Sequence, residues 1–270
     1  MKTLIVGAGG LKGILYLGGL KYIEEKGDLF SFDRYVGVST GSVILSLVLS
    51  NFKVEDIYKH YINFNLEEIS INPNKMIENY GYASTSTIEK YLEKLFIGKW
   101  GINPTFGQLY KFTGKELIIV VSNLTDNKPE YLSYQNQEDM LVTYAISLSI
   151  SLPVVFFRKV IGNKIYIDGG FTDPIPIKKY DDGKTDIIAF YIEETSYIEP
   201  TDKHFSYIIA CMNLLWKSFI HVKIEGCSSK VTLVPFEYNK LELLSLSLPN
   251  KYKTKMFDEG YLIVKKILDH

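Results

Sequence analysis

Leu4-Ile5-Val6-Gly7-Ala8-Gly9-Gly10-Leu11-Lys12-Gly13 opens the first organised stretch of the chain, and Tyr35-Val36-Gly37-Val38-Ser39-Thr40-Gly41 repeats its logic further along. In each, a short apolar run reads as a buried strand and ends in small residues that lead straight into a helix-prone segment. The first helix is predicted over Ile14 to Lys26, closed by Gly27, and the second from Thr40 to Leu49. Two strand-turn-helix units in fifty residues mark the start of a layered α/β fold.

Further elements follow the same reading. Ser86-Thr87-Ile88-Glu89 has the form of a capping box before a helix at Tyr91 to Phe96, Glu116 to Val121 is a β-branched strand, and Glu138 to Ile146 reads as helix. Lys164 to Ile167 reads as a strand ending at Asp168-Gly169-Gly170, Asp186 to Ile192 as another, and Phe205 to Ile220 and Lys255 to Leu268 as closing helices. The Asn-rich stretch Ile69 to Tyr82 lacks periodicity and is expected to form a surface loop or cap.

With 270 residues and no linker-like change of composition, a single domain spanning 1–270 is expected. A chain of this size buries roughly 75% of its unfolded surface and needs no metal or disulfide staple. Thirty basic residues balance 31 acidic ones for a net charge of -1, and Arg34 and Arg158 are the only arginines, so nucleic acid is not an indicated partner. Cys211 and Cys227 lack zinc-site spacing and point weakly to a reducing compartment. The aromatic content of 14% fits either core filling or contact with a greasy ligand. No apolar window reaches transmembrane length: Val43 to Leu49 and Ser151 to Phe157 are short, and Pro153 interrupts the second. The opening residues are interrupted by Gly7, Gly9, Gly10 and Lys12 before a secretory core can develop. A cytoplasmic or peripheral-membrane location is therefore expected, with the oligomeric state left open.

Three segments carry chemistry. The Gly7–Gly13 turn can aim backbone N–H groups at an anion. Dinucleotide binding fails its second requirement, because the second strand ends without an acid for a ribose, and no Gly-Lys-Ser/Thr follows for a P-loop. Gly37-Val38-Ser39-Thr40-Gly41 matches the nucleophile elbow G-x-S-x-G, set between a strand and a helix N-terminus. Of the histidines, His60, His204, His221 and His270, none sits in a strand-end motif; Asp168, flanked by Gly169 and Gly170, is the better candidate base.

In this order and spacing the three segments resemble the patatin-like lipid acyl hydrolases, which carry an oxyanion motif G-G-G-x-[KR]-G, a serine elbow and a D-G-G or D-G-A triplet. The match runs over about residues 3 to 192 and includes Ser149 to Phe156, similar to the family's S-x-x-x-P-x-x-F stretch; residues from about 200 to 270 form an extension of helices and strand with no counterpart. The resemblance implies a three-layer α/β/α fold with a mainly parallel sheet, and cleavage of fatty-acyl esters by a Ser39–Asp168 dyad. It also implies oxyanion donors at Gly9 and Gly10, helped by Thr40, with Gly13, Gly37, Gly41, Gly169 and Gly170 as motif glycines. Ala8 departs from the family by replacing the first glycine of the triple. Lys12 could face a lipid phosphate or lie solvated at the helix start. No cofactor is implied, and no Asp/Glu run has the spacing of a calcium loop. The implied partner is lipid at a membrane or micelle surface. The competing reading is a catalytically silent lipid- or anion-binding module on the same fold.

Overall fold

Alternation along the strands sends successive apolar side chains to opposite faces of one sheet. Leu4 and Val6 join Tyr35, Ile119, Val121 and Phe190 in a core on one face, while Ile5 joins Val36, Val38, Val120 and Ala189 on the other. Strands apolar on both sides demand cover on both sides, which is the physical origin of the three layers. The computed structural model describes residues 1–64, 78–193, 204–237 and 249–269.

The strands are β1 (Lys2–Val6), β2 (Arg34–Val38), β3 (Gly81–Ala83), β4 (Glu116–Asn123), β5 (Lys128–Leu132), β6 (Val154–Phe156), β7 (Lys159–Ile161), β8 (Lys164–Asp168), β9 (Asp186–Glu193) and β10 (Val231–Glu237). The helices are α1 (Gly13–Glu25), α2 (Thr40–Leu49), α3 (Val54–Asn63), α4 (Ser86–Trp100), α5 (Phe106–Thr113), α6 (Val142–Ser149), α7 (Ile177–Tyr180), α8 (His204–Ile224) and α9 (Asn250–Leu268).

The main sheet has the order β10-β9-β1-β2-β4-β8-β7, with β5 also paired to β4, and β3 pairs with β6 separately. From β10 to β4 the pairing is parallel; β5, β8 and β7 add antiparallel partners. The turns after β1 and β2 therefore leave the sheet at the same edge, where ligands of open α/β sheets bind. Register brings the third segment to the same place: Val38 lies opposite Val120, and Val121 lies opposite Asp168. Ser39 and Asp168 thus flank the end of β4 at one height.

The expected architecture of a largely parallel sheet between helical layers is present. Several local readings are corrected. The Ser86–Glu89 segment forms no capping box; Ser86 is already helical, behind Thr85. The capping box sits instead at Thr105 and Gln108, before α5. The helix expected over Glu138–Ile146 is shifted to Val142–Ser149, because Glu138 and Met140 use their carbonyls to accept the N–H groups of Gly107 and Phe106. Of the expected loop Ile69–Tyr82, the part up to residue 77 lies outside the described residues, and Gly81 and Tyr82 belong to β3. The C-terminal extension is no appendage: β10 continues the sheet beside β9, and Met256 and Val264 of α9 enter the first core.

Candidate active site

The elbow is a backbone device. Ser39 has φ 51° and ψ -121°, a conformation costly for a side chain with a Cβ and retained where the surroundings enforce it. The two glycines make the enforcement possible. A Cβ on Gly37 would meet Ser42 Cα at 2.5 Å, and one on Gly41 would meet the Val6 carbonyl oxygen at 2.0 Å. Ser149, on α6, locks the turn by accepting the Ser39 N–H at 2.9 Å while its own hydroxyl donates to Val120 at 2.7 Å.

From this position the Ser39 hydroxyl donates to Asp168 Oδ2 at 2.6 Å. The other carboxylate oxygen, Oδ1, accepts the Gly170 N–H at 2.8 Å. Asp168 is held from behind as well, its N–H donating to Ser151 and its carbonyl accepting the Ser122 hydroxyl. Burial pushes its carboxyl up to about 6, against the lowering pull of the Ser39 hydroxyl and the Gly170 N–H. Such a carboxyl changes charge near neutrality, as a general base must. Gly169 is needed for the approach of β4, since a Cβ there would lie 2.2 Å from the Val120 carbonyl oxygen.

Across the cleft, the Gly-rich turn is pinned by its carbonyls and by its flanks. Gly7 and Ala8 donate their N–H groups to Phe190 and Pro174, and Gly9 O accepts the Lys12 N–H. Tyr16 donates to Ala8 O at 2.9 Å. Gly10, at φ +52°, begins a short 3-10 helix that runs into α1, so its N–H opens a helix and has no acceptor within it. Among the described residues the N–H of Gly9 is likewise not spent on the protein. The methyl of Ala8 is absorbed by the second core beside Ile5 and Val38, which accounts for a Cβ at this position. Lys12 is buried, with 1% of its surface exposed. A solvated helix-start lysine is therefore not what the fold contains.

Two hydroxyls complete the turn, one from Thr40 of the elbow and one from Tyr61, which no motif announces. Tyr61, on α3, donates to the Gly10 carbonyl at 2.6 Å. Thr40 reaches the same carbonyl at 3.1 Å and the Tyr61 hydroxyl at 2.9 Å. Gly13 makes room for both, since a Cβ there would fall 2.5 Å from Thr40 Cγ2.

Ser39 and Asp168 open into a cavity of about 220 Å³ whose walls are largely apolar, with Val43, Leu47, Ile57, Leu92, Leu95 and Phe156 among the lining residues. His60 also lines it, with Nδ1 2.8 Å from the Tyr91 hydroxyl rather than against Ser39. His221 is exposed on α8; the side chain of His204, and His270, lie outside the described residues. Among the described residues, no group of three His, Cys, Asp or Glu could hold a metal ion, and no helix is long and apolar enough to cross a membrane.

Residues 4–179 match the family model of patatin-like phospholipases. A probable lipid hydrolase of Invertebrate iridescent virus 6 is 28% identical over 182 residues, covering 65% of this chain and 62% of the viral protein. An uncharacterised protein of Acanthamoeba polyphaga mimivirus is 23% identical over 296 residues, covering 100% of this chain and 96% of its own length. Among solved structures, VipD from Legionella pneumophila superposes with a TM-score of 0.65 at 16% identity, over 99% of this chain and 66% of VipD. The effector ExoU of Pseudomonas aeruginosa gives 0.57 at 15% identity, over 99% of this chain and 52% of its own. These last two likenesses concern the fold. The chain spans a little under two thirds of the iridescent-virus relative. A model match over more than half the sequence, on the turn, elbow and aspartate just described, places this chain in the patatin-like phospholipase family.

Proposed function

We propose that the chain is a lipid acyl hydrolase that cleaves fatty-acyl esters of phospholipids through a Ser39–Asp168 dyad, working at a lipid surface. The observation that carries this reading is the 2.6 Å Ser39–Asp168 hydrogen bond at the mouth of an apolar cavity. An acyl chain lying among Val43, Leu47 and Leu95 would bring its ester carbonyl to the elbow.

Ionised Asp168 takes the hydroxyl proton as Ser39 Oγ bonds to the carbonyl carbon. The carbonyl oxygen becomes an anion facing the N–H groups of Gly9 and Gly10 and the start of α2 at Thr40, donors fixed before the reaction begins. Collapse expels the alcohol portion, which leaves with the proton held by Asp168. Water then loses a proton to Asp168 and attacks the acyl-serine, and as that adduct collapses Asp168 returns the proton to Ser39 Oγ, freeing the fatty acid and restoring the dyad. By pinning the Gly10 carbonyl, Tyr61 and Thr40 keep this turn from rotating. Burial pushes the Tyr61 hydroxyl up to about 12, so it stays a donor at working pH.

The test is a fluorophosphonate probe with a hydrolysis screen over phospholipids, galactolipids, triacylglycerol and short nitrophenyl esters. Covalent labelling that is lost in Ser39→Ala, together with turnover of an acyl ester, is expected. A chain that binds lipid yet neither labels nor turns over would be the silent module instead.

A further inference from the structure

Of the basic residues that could meet a phosphate, the oxyanion motif offers Lys12, and the fold buries it with 1% exposure. A different lysine stands in the cavity that holds Ser39 and Asp168. Lys253, on α9, is the one lysine or arginine among the described residues lining it. It comes from a helix beyond the family match, which ends at residue 179, so no motif marks it.

Its surroundings suit an anion. Lys253 is half-buried, and its ammonium donates to the Ile62 carbonyl at 3.0 Å, at the C-terminal turn of α3. An ammonium carries three donors, and this bond uses one. Among the described residues it has no carboxylate partner, although lysines nearby in sequence, such as Lys255 with Glu259, do find one. The rest of the wall is aliphatic and aromatic, where a point charge acts through a lower effective dielectric than at the open surface. The bond to Ile62 directs the stem, and the one carboxylate among the described residues lining the cavity, Asp168, is engaged by the Ser39 hydroxyl and the Gly170 N–H.

We propose that Lys253 recognises the phosphate of a glycerophospholipid and so selects phospholipids over neutral acylglycerols. This rests on the hydrolase reading above and adds to it the residue that sets head-group class. In a glycerophospholipid the phosphate lies on the same glycerol as the scissile ester, so an ester at Ser39 places its phosphate in or beside the same cavity. Lysine is a fitting residue there because it contacts phosphate as a point charge without demanding a fixed fork geometry.

The experiment measures kcat/KM on mixed detergent micelles of dioleoylphosphatidylcholine and of dioleoylglycerol, which carries the same acyl chains without a phosphate, for the unaltered chain, Lys253→Met and Lys253→Arg. Met keeps the length of the stem and removes the charge; Arg keeps the charge. The ratio of phospholipid to diacylglycerol turnover is expected to fall about tenfold or more in Lys253→Met, the worth of one charge-assisted hydrogen bond, and to recover in Lys253→Arg. An unchanged ratio overturns the proposal, and does so even if both rates fall together, since that is the mark of a lysine that only braces α3. Turnover of both lipids with a ratio blind to Lys253 leaves the hydrolase reading standing. Absence of turnover and of fluorophosphonate labelling in the unaltered chain overturns both.

Discussion

A carboxyl pushed up to about 6 by burial can accept the Ser39 proton only when it has lost its own, so kcat/KM is expected to rise with pH along a limb centred near that value. A pH–rate profile checks this, and an acidic limb centred instead below pH ~4, the ordinary carboxylate range, would remove Asp168 from the role. Asp168→Asn keeps the shape and loses the acceptor, so kcat should drop by ~100- to 10,000-fold while replacement of His60 or His221 stays mild. The same burial has an energetic consequence. Native Asp168 holds its proton more tightly than the unfolded chain does, so its contribution to stability is greatest below the ordinary carboxylate range and falls as pH rises through 6, by about 3 kcal/mol in all. Asp168→Asn has no such dependence. Its melting temperature should gain on that of the unaltered chain between pH ~5 and ~7.5, and thermal melts in which the variant's Tm relative to the unaltered chain stays constant or falls over that range would contradict the assignment. Ser39 and Asp168 were legible in the sequence because their neighbours are glycines demanded by backbone contacts of 2.0 to 2.5 Å. Tyr61 and Lys253 were not, because each acts through a helix face that no local pattern distinguishes from ordinary packing.

Helix α3 illustrates what a reading by elements can and cannot reach. Ile57, His60, Tyr61 and Phe64 recur at the spacing of one helical face and all line the cavity. That stripe was available in the sequence; its partner, the Gly10 carbonyl some fifty residues away, was not. Removing the Tyr61 hydroxyl in Tyr61→Phe should lower kcat about tenfold, less than the ~100-fold loss of an oxyanion donor itself, with KM nearly unchanged. A rise in KM at constant kcat would make Tyr61 part of the binding wall instead of a positioning residue. The joint between α1 and α9 depends on two glycines. A Cβ on Gly18 would sit 1.9 Å from the Phe257 carbonyl oxygen, and one on Gly260 2.0 Å from that of Leu15. Gly260→Ala gains about 1 kcal/mol of helix propensity but forces backbone apart at a cost of about 1–3 kcal/mol. A net loss of stability in urea unfolding is expected, and a gain would show the helices are not so closely held. This contact joins the two ends of the chain, and the β9–β10 pairing adds the extension's strand to the sheet, which is why the C-terminal extension matched no motif while being integral to the fold.

At the scale of the whole molecule, the proposed lipid substrate resides in an aggregate, and the cavity must meet it there. Helix α8 offers an answer in its own asymmetry. Ile220 is buried in the second core, and Trp216 walls the cavity and packs over Gly170, where a Cβ would fall 2.5 Å from its ring. Yet Leu214 and Leu215 stand 68% and 71% exposed, and Val222 55%. One helix therefore couples the wall of the cavity that holds Ser39 and Asp168 to aliphatic side chains left in water. Exposed leucines on the helix that carries a residue of this apolar cavity are suited to enter the acyl boundary of a membrane or micelle, as on other surface-bound helices. Two of them contribute about 3 kcal/mol when buried, about a hundredfold in partitioning. Activity of the unaltered chain is expected to rise as a phospholipid passes its aggregation threshold. The double variant Leu214→Ser/Leu215→Ser should lose most of that rise, and bind vesicles of phosphatidylcholine more weakly in sedimentation, while its rate on a monomeric short-chain nitrophenyl ester changes little because neither leucine touches Ser39 or Asp168. A rate that ignores the threshold, or a double variant that still responds to it in full, would mean that the substrate reaches the cavity one molecule at a time from solution.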